Sequence, residues 1–412
     1  MKNSIVTLGT ATLTLALLGG CASFGGAPEA KSTPARPQLG SEQAATLASM
    51  ATHFARAGQI EELANDPWDP AKNGIGDVSK FTPIFVVAAD GSGTNTTVQG
   101  AIDAAIRAGG NTRVWILVKP GTYREQVCTK GAPPITLYGL DQDASKVLIV
   151  NNKANGTPKD PKLVLNACEG QTDKPTYGTS GSTTFLAYSD GFQDKNITFS
   201  NDFDESTQKN GLQAVAVTTT GDKVIFENVR MLGNQDTLQV KSPNVGTVSR
   251  VYVSGSYIEG DVDFVFGRAA AVFDHTEFKS LTRVGAEGGF VFAPSHAQNY
   301  STGFLVINSK FTSDGKSPAG SFSLGRAWDD SSGAYTAKDG KKYLPNGQVI
   351  IRDSVIGEHI NVTAPWNKAA STNRPFSSDK PVTIKFANAD TEFPVNRMFE
   401  YHNTGAGAGA AK

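Results

Sequence analysis

Short apolar runs dominate the chain from Phe81 onward, and one six-residue pattern recurs among them: apolar, any, polar or small, any, any, apolar. It occurs at Phe226–Met231 (FENVRM), Val253–Ile258 (VSGSYI), Phe273–Phe278 (FDHTEF), Val306–Phe311 (VINSKF) and Ile351–Ile356 (IRDSVI), with a weaker copy at Phe192–Ile197 (FQDKNI). Successive starts are 34, 27, 20, 33 and 45 residues apart. A repeated strand unit joined by loops of unequal length predicts an all-β fold, a parallel β-helix. Each coil buries its inward residues against the coil below, and loops leave the stack sideways. A β-sandwich also supplies many short strands, but has no cause to repeat this unit. The Gly, Asn and β-branched content of the region disfavours helix.

The chain ahead of the repeats has a different pattern. Ser41–Gly58 (SEQAATLASMATHFARAG) reads as one helix, with Ser41 as N-cap and Gly58 past its end. Residues 22 to about 40 are rich in Gly, Ala, Pro and Ser and read as a tether. The first twenty residues place Lys2 before an apolar run and small residues, an export signal too short to span a bilayer. Leu18-Gly19-Gly20-Cys21 resembles a bacterial lipobox, which implies cleavage before Cys21 and a lipid on that residue. Ala22, where Asp would favour the inner membrane, then points to the cell envelope's outer membrane. A plain secretory signal with an incidental cysteine is the alternative. The expected division is 1–20 signal peptide, 21–80 tether and N-terminal helix, and 81–412 β-helix domain.

Composition narrows the function classes. The chain has 412 residues, 39% hydrophobic and 19% charged, and a formal net charge of −1. No global field steers it toward nucleic acid, and it has no basic tract. Of its three cysteines, Cys128 and Cys168 remain once Cys21 is set aside. In an exported protein an even remainder suggests a disulfide, with two buried thiols as the alternative. No Cys/His spacing suggests a metal site.

Candidate chemistry lies in two of the repeats. With Phe226 set under Val253, Gly233 matches Gly260, Asp236 matches Asp263 and Leu238 matches Val265. Consecutive coils are neighbouring strands about 4.8 Å apart, so two carboxylates at one register would face each other. Both cannot ionise cheaply, and one pKa rises while the other falls. Such a pair provides an acid and a nucleophile, or an acid and a base; a structural ladder relieved by Asn or a cation is the alternative. Arg326, in FSLGRAWDD, is a cation that would hold one acid ionised. Trp328, two residues on, would share its side of a strand and offer a flat face to a sugar ring.

These blocks resemble a known family. GNQDTL (233–238), GDVDFVFG (260–267) and LGRAW (324–328) resemble the three signature blocks of pectin methylesterases. FVVAADGSGTNTTVQGAIDAA (85–105), VKPGTYREQV, ITLYGLD, GLQAVAV (211–217) and MFEYHNTGAGAGA follow the family's order, covering about residues 81–410. With the export signal, the chain is most similar to outer-membrane lipoprotein pectinesterases of plant-associated enterobacteria. The resemblance implies a right-handed parallel β-helix that removes methyl esters from pectin or its oligogalacturonides. It implies a monomer without metal or cofactor, held to the membrane by the N-terminal lipid. Asp263 matches the family's nucleophile, and Asp236 its general acid and then base. Gln213 and Gln235 match the amides that stabilise the oxyanion, and Arg326 the partner of the nucleophile. Phe266 and Trp328 match aromatic residues of the substrate cleft. Ala327 stands where the family usually has Pro, a change in backbone stiffness.

Other readings have less support. No GxSxG accompanies a catalytic histidine, and His53, His275, His296, His359 and His402 read as surface or coil-packing residues. A glycosidase also uses paired carboxylates, and a sugar-binding lipoprotein would merely inherit the site.

Overall fold

The third residue of each repeat unit is where the chain turns a corner. Asn228, Gly255, His275, Asn308 and Asp353 all adopt positive φ, between 49° and 55°. Small or short polar residues tolerate this left-handed bend better than most, which explains the pattern. The apolar residue before each corner lies in one parallel sheet and the apolar residue after it in the next. Phe226, Val253, Phe273, Val306 and Ile351 are register partners in a ten-stranded sheet. Met231, Ile258, Phe278, Phe311 and Ile356 are partners in an eight-stranded sheet.

In the computed structural model the described residues are 30–409, apart from 60, 61, 65, 67, 161, 163–166, 169–173, 284, 331–333, 338, 339, 378, 379, 387 and 388. The export segment 1–20 and Cys21 lie outside the described residues. Three parallel sheets of ten, eight and eight strands form a parallel β-helix, each coil giving one strand to each sheet in turn. Inward residues of all three sheets make one continuous core, including Phe185, Phe226, Phe273, Phe292 and Phe304. At one end, helix Val98–Ala108 covers the first coil with buried Val98, Ala101, Ile102 and Ala105. Thr97 caps it, its side chain accepting from the Gly100 N–H at 3.1 Å. Cys128 and Cys168 are joined by a disulfide, with Cα atoms 5.8 Å apart.

The weaker repeat copy is displaced from the sequence alignment. The residue paired with Phe226 is Asp194, not Phe192, and the corner is Asn196, with φ 63°. The unit therefore runs 194–199, with Phe199 opposite Met231. An acid occupies the inward place, so the pattern of apolar residues led two positions astray.

Two expectations for the N-terminal segment also change. Ser41–Gly58 is not one helix but two, Ser41–Leu47 and Met50–Ala55. The N-cap is Gly40, whose N–H donates to Gln43 Oε1 at 3.1 Å, while Ser41 is the first helical residue. Ser49 is extended (ψ 130°), and Arg352 Nη1 donates to the freed Ala48 carbonyl at 3.1 Å. The break lets both short helices follow the outer face of the ten-stranded sheet. There Phe54, Ala44 and Ala48 pack with Tyr252, Val272 and Leu305. Residues 36–39 are docked rather than a free tether. Arg36 donates to Glu400 Oε2 at 2.7 Å, and Leu39 N–H to the Glu400 carbonyl at 2.9 Å.

Candidate active site

Leu238 pairs with Val265 and Gln239 with Phe266 in the third sheet. Counting back along both strands sets Asp236 beside Asp263, on neighbours about 4.8 Å apart. Both have positive φ, 67° and 52°. Their carboxylates line a cleft of ≈ 1020 Å³ on the outer face of the sheet. Gly260 permits this bend: a Cβ there would lie 2.3 Å from Phe264 Cβ and 2.5 Å from the Asn234 carbonyl oxygen.

The acids are equally buried, 8% and 9% exposed, yet their surroundings differ. Arg326 grips Asp263 with two parallel bonds, Nε to Oδ1 at 2.9 Å and Nη2 to Oδ2 at 2.7 Å. The guanidinium lies 3.9 Å from the Phe290 ring centroid, which holds its plane. Burial drives the Asp236 carboxyl well above the usual carboxylate range, and the charge of Asp263 drives it further. Burial raises Asp263 as well, but the hydrogen bonds and charge of Arg326 oppose this. Both carboxyls are thus pushed up, and only Asp263 has a bonded cation that favours its charged form.

Gln213 and Gln235 line the same cleft, as do Phe266 and Trp328. Gln235 Oε1 accepts from Arg283 Nη2 at 3.1 Å. A guanidinium only donates, so the amide oxygen must face it, and the NH₂ points the other way. The rings of Phe266 and Trp328 meet edge to face, with centroids 5.8 Å apart. Asp329, next to Trp328, is buried in a two-bond contact with Arg374, both at 2.8 Å.

All seven residues expected from the sequence meet on this cleft. None of the five histidines lines it. His275 and His402 instead occupy corner positions, with φ 50° each. Sequence reasoning missed Arg283, which also bonds Asp261 at 2.8 and 3.1 Å and Glu205 at 2.7 Å. Burial, together with the charge of Asp261, pushes the Glu205 carboxyl up to about 7. No signal marked Arg283, because it lies in a loop outside the repeat. Lys241 and Arg268 were also missed, although they share the 27-residue offset of the acid pair.

The fold is a parallel β-helix whose outer cleft sets two buried acids side by side, one of them held by an arginine. The family model for pectinesterase matches residues 84–339, and the chain belongs to that family of carboxylic ester hydrolases. It is 44% identical to a pectinesterase of Ralstonia nicotianae over 400 residues, 96% of this chain and 97% of that one. Among solved structures, Escherichia coli YbhC superposes with a TM-score of 0.76 at 32% identity, covering 92% of this chain and 98% of that one. The rice weevil pectin methyl esterase gives 0.73 at 29% identity, covering 92% and 100%.

Proposed function

We propose that the chain hydrolyses methyl esters of galacturonan, as polymer or oligomers, through an acyl-enzyme on Asp263. Asp263 attacks the ester carbonyl carbon, and the carbonyl electrons move onto oxygen. The N–H groups of Gln213 and Gln235 stabilise that oxyanion. As the tetrahedral intermediate collapses, the methoxide leaving group takes the Asp236 proton and departs as methanol. The mixed anhydride between Asp263 and the galacturonate is then attacked by water, whose proton returns to Asp236. The products are regenerated Asp263 and a galacturonic acid group, which loses its remaining proton to solvent to become the free carboxylate. Phe266 and Trp328 offer apolar faces to the sugar rings.

What carries this reading is the unequal pair: two buried acids at one register, of which Arg326 holds only one. The test is methanol release from methylated pectin and methylated oligogalacturonides, with Asp263→Asn as control. Wild type is expected to release methanol and the variant at least about 10³-fold less. Wild-type protein that releases none from either substrate would refute the reading. New reducing ends without methanol would make it a glycosidase.

The anchor is part of the same proposal: lipid on Cys21 holds the enzyme in the envelope at the outer membrane. Cells expressing the full chain should incorporate labelled palmitate into it, and Cys21→Ser should abolish the label. Persistence of label in that variant would refute the anchor.

A further inference from the structure

A second cavity lies away from the cleft, where helix Met50–Ala55 rests on the outer face of the ten-stranded sheet. Its floor comes from three neighbouring strands, Phe304–Ile307, Gln348–Arg352 and Arg397–Tyr401. Val349 and Met398 point inward to the core, so Gln348, Ile350, Arg397 and Phe399 face out. Gln348 pairs with Arg397 and Ile350 with Phe399, which gives one polar row and one apolar row. His53 and Arg56 line the cavity from the helical side. Its volume is ≈ 230 Å³, below the about 300–1,000 Å³ of sites for drug-sized ligands.

Its polar groups lack partners of two kinds. His53 Nε2 lies 3.1 Å from the Gly303 carbonyl; a carbonyl only accepts, so Nε2 carries the hydrogen. Burial lowers His53 to about 4, so the ring is neutral and Nδ1 is a bare acceptor. Gln348 Nε2 donates to the Ala297 carbonyl at 3.1 Å, which leaves Oε1 as a second acceptor. His53 Nδ1, Gln348 Oε1 and the Thr302 hydroxyl have no hydrogen-bond partner among the described residues, and all three side chains are more than nine-tenths buried. The second lack is of negative charge. Arg397 donates from Nε to Asn346 Oδ1 and from Nη2 to the Gln298 and Tyr300 carbonyls, all of them neutral. Burial, and then the charge of Arg56, lowers Arg397 to about 10, and no acid among the described residues opposes them. Hydrocarbon in this cavity would leave both needs unmet. A simple anion answers the arginines alone, and a neutral sugar the acceptors alone. A hydroxylated carboxylate answers both.

We propose that this cavity binds a free uronate, a hydroxylated sugar ring bearing one carboxylate, at a site separate from the catalytic cleft. The carboxylate lies between Arg56 and Arg397. Ring hydroxyls donate to His53 Nδ1 and Gln348 Oε1, and the C–H face of the ring packs on Ile350 and Phe399. Such a ligand joins helix Met50–Ala55 to the sheet and fastens the N-terminal segment onto the coil. The site stands whether or not the cleft is an esterase.

The test is backbone hydrogen exchange of the full chain with and without D-galacturonate. At about 10 mM ligand and a Kd near 1 mM, exchange across residues 50–57 should slow about tenfold. D-Galactose and inorganic phosphate at the same concentration should slow it less than about twofold. The double variant Arg56→Met/Thr302→Val should lose the slowing while keeping the melting temperature and the methanol release of wild type. Equal slowing by galactose or phosphate would overturn the uronate assignment. So would slowing that persists in the double variant, slowing confined to the strands of the cleft, or none at all, which would mean that the cavity holds water only. If the double variant melts early, Thr302→Val, which removes only an unpartnered hydroxyl, decides by the same loss. Should wild type release no methanol yet show the slowing, the esterase reading falls and this site stands.

Discussion

Asp194 is the one repeat unit's inward residue that is an acid, and replacing it should stabilise the protein. It is 0% exposed, between its register partners Leu137 and Phe226. Neither carboxylate oxygen has a hydrogen-bond partner among the described residues. Burial raises its pKa well above 3.8. Such a carboxyl binds its proton more tightly in the native state than in the unfolded one. The contribution of this group to native stability is therefore greatest below the unfolded pKa. It falls as pH rises from 3.8 toward the folded pKa, by up to about 1.4 kcal/mol per pH unit. Asp194→Val removes both the ionisation and a buried unpaired polar group, the latter worth about 1–3 kcal/mol. For a chain of this size the entropy of unfolding near the midpoint is roughly 0.8 kcal/mol per degree, so that gain alone raises Tm by about 1–4 °C. Asp194→Asn is the control: it keeps the polar atoms and removes the titration. Thermal scans at one rate, at pH 4, 6 and 8, should show Asp194→Val above wild type with the margin widening as pH rises. Asp194→Asn should lose the pH slope. A lower Tm for Asp194→Val at all three pH values would refute the reasoning, because it would mean the carboxyl is satisfied in the fold.

Four further outcomes follow from the structure. Arg283→Met frees the Gln235 amide to rotate, so kcat should fall about 10–10³-fold with KM little changed, while Arg283→Lys restores part of it; a rise in KM alone would count against the positioning role. The pH profile of kcat/KM should be bell-shaped, falling on the acid side as Asp263 gains a proton and on the alkaline side as Asp236 loses one. Because Arg326 holds the Asp263 pKa down, Arg326→Met should move the acid limb to higher pH, and an unmoved limb would refute that link. Arg374→Met leaves Asp329 buried without its partner and should cost about 3–5 kcal/mol in denaturant unfolding; a loss below 1 kcal/mol would show that water reaches that carboxylate.

How much of this was legible follows from which forces act within a coil and which between loops. The polar or small third position of the unit (Asn228, Gly255, His275, Asn308, Asp353) was legible, and the structure supplies its reason: every coil bends there, and few residue types tolerate positive φ. The acid pair was legible because the hydrophobic pattern sets register, and register puts Asp236 beside Asp263. Where the inward residue is not apolar, as at Asp194, that logic misplaced the unit by two positions. The single helix expected over 41–58 failed because propensity knows nothing of the sheet surface it must follow, nor of Arg352 waiting to take up the Ala48 carbonyl.

The amino-acid sequence by itself determined the repeated strand unit and the register that sets Asp236 beside Asp263, since the unit keeps one six-residue pattern however long the loops between its copies. Only the tertiary structure decided the rest: Arg283 reaching Gln235, Arg374 reaching Asp329 and Arg36 reaching Glu400. Those partners come from loops of unequal length, separated by tens to hundreds of residues. No local pattern encodes such a meeting, because folding the coils brings the partners together.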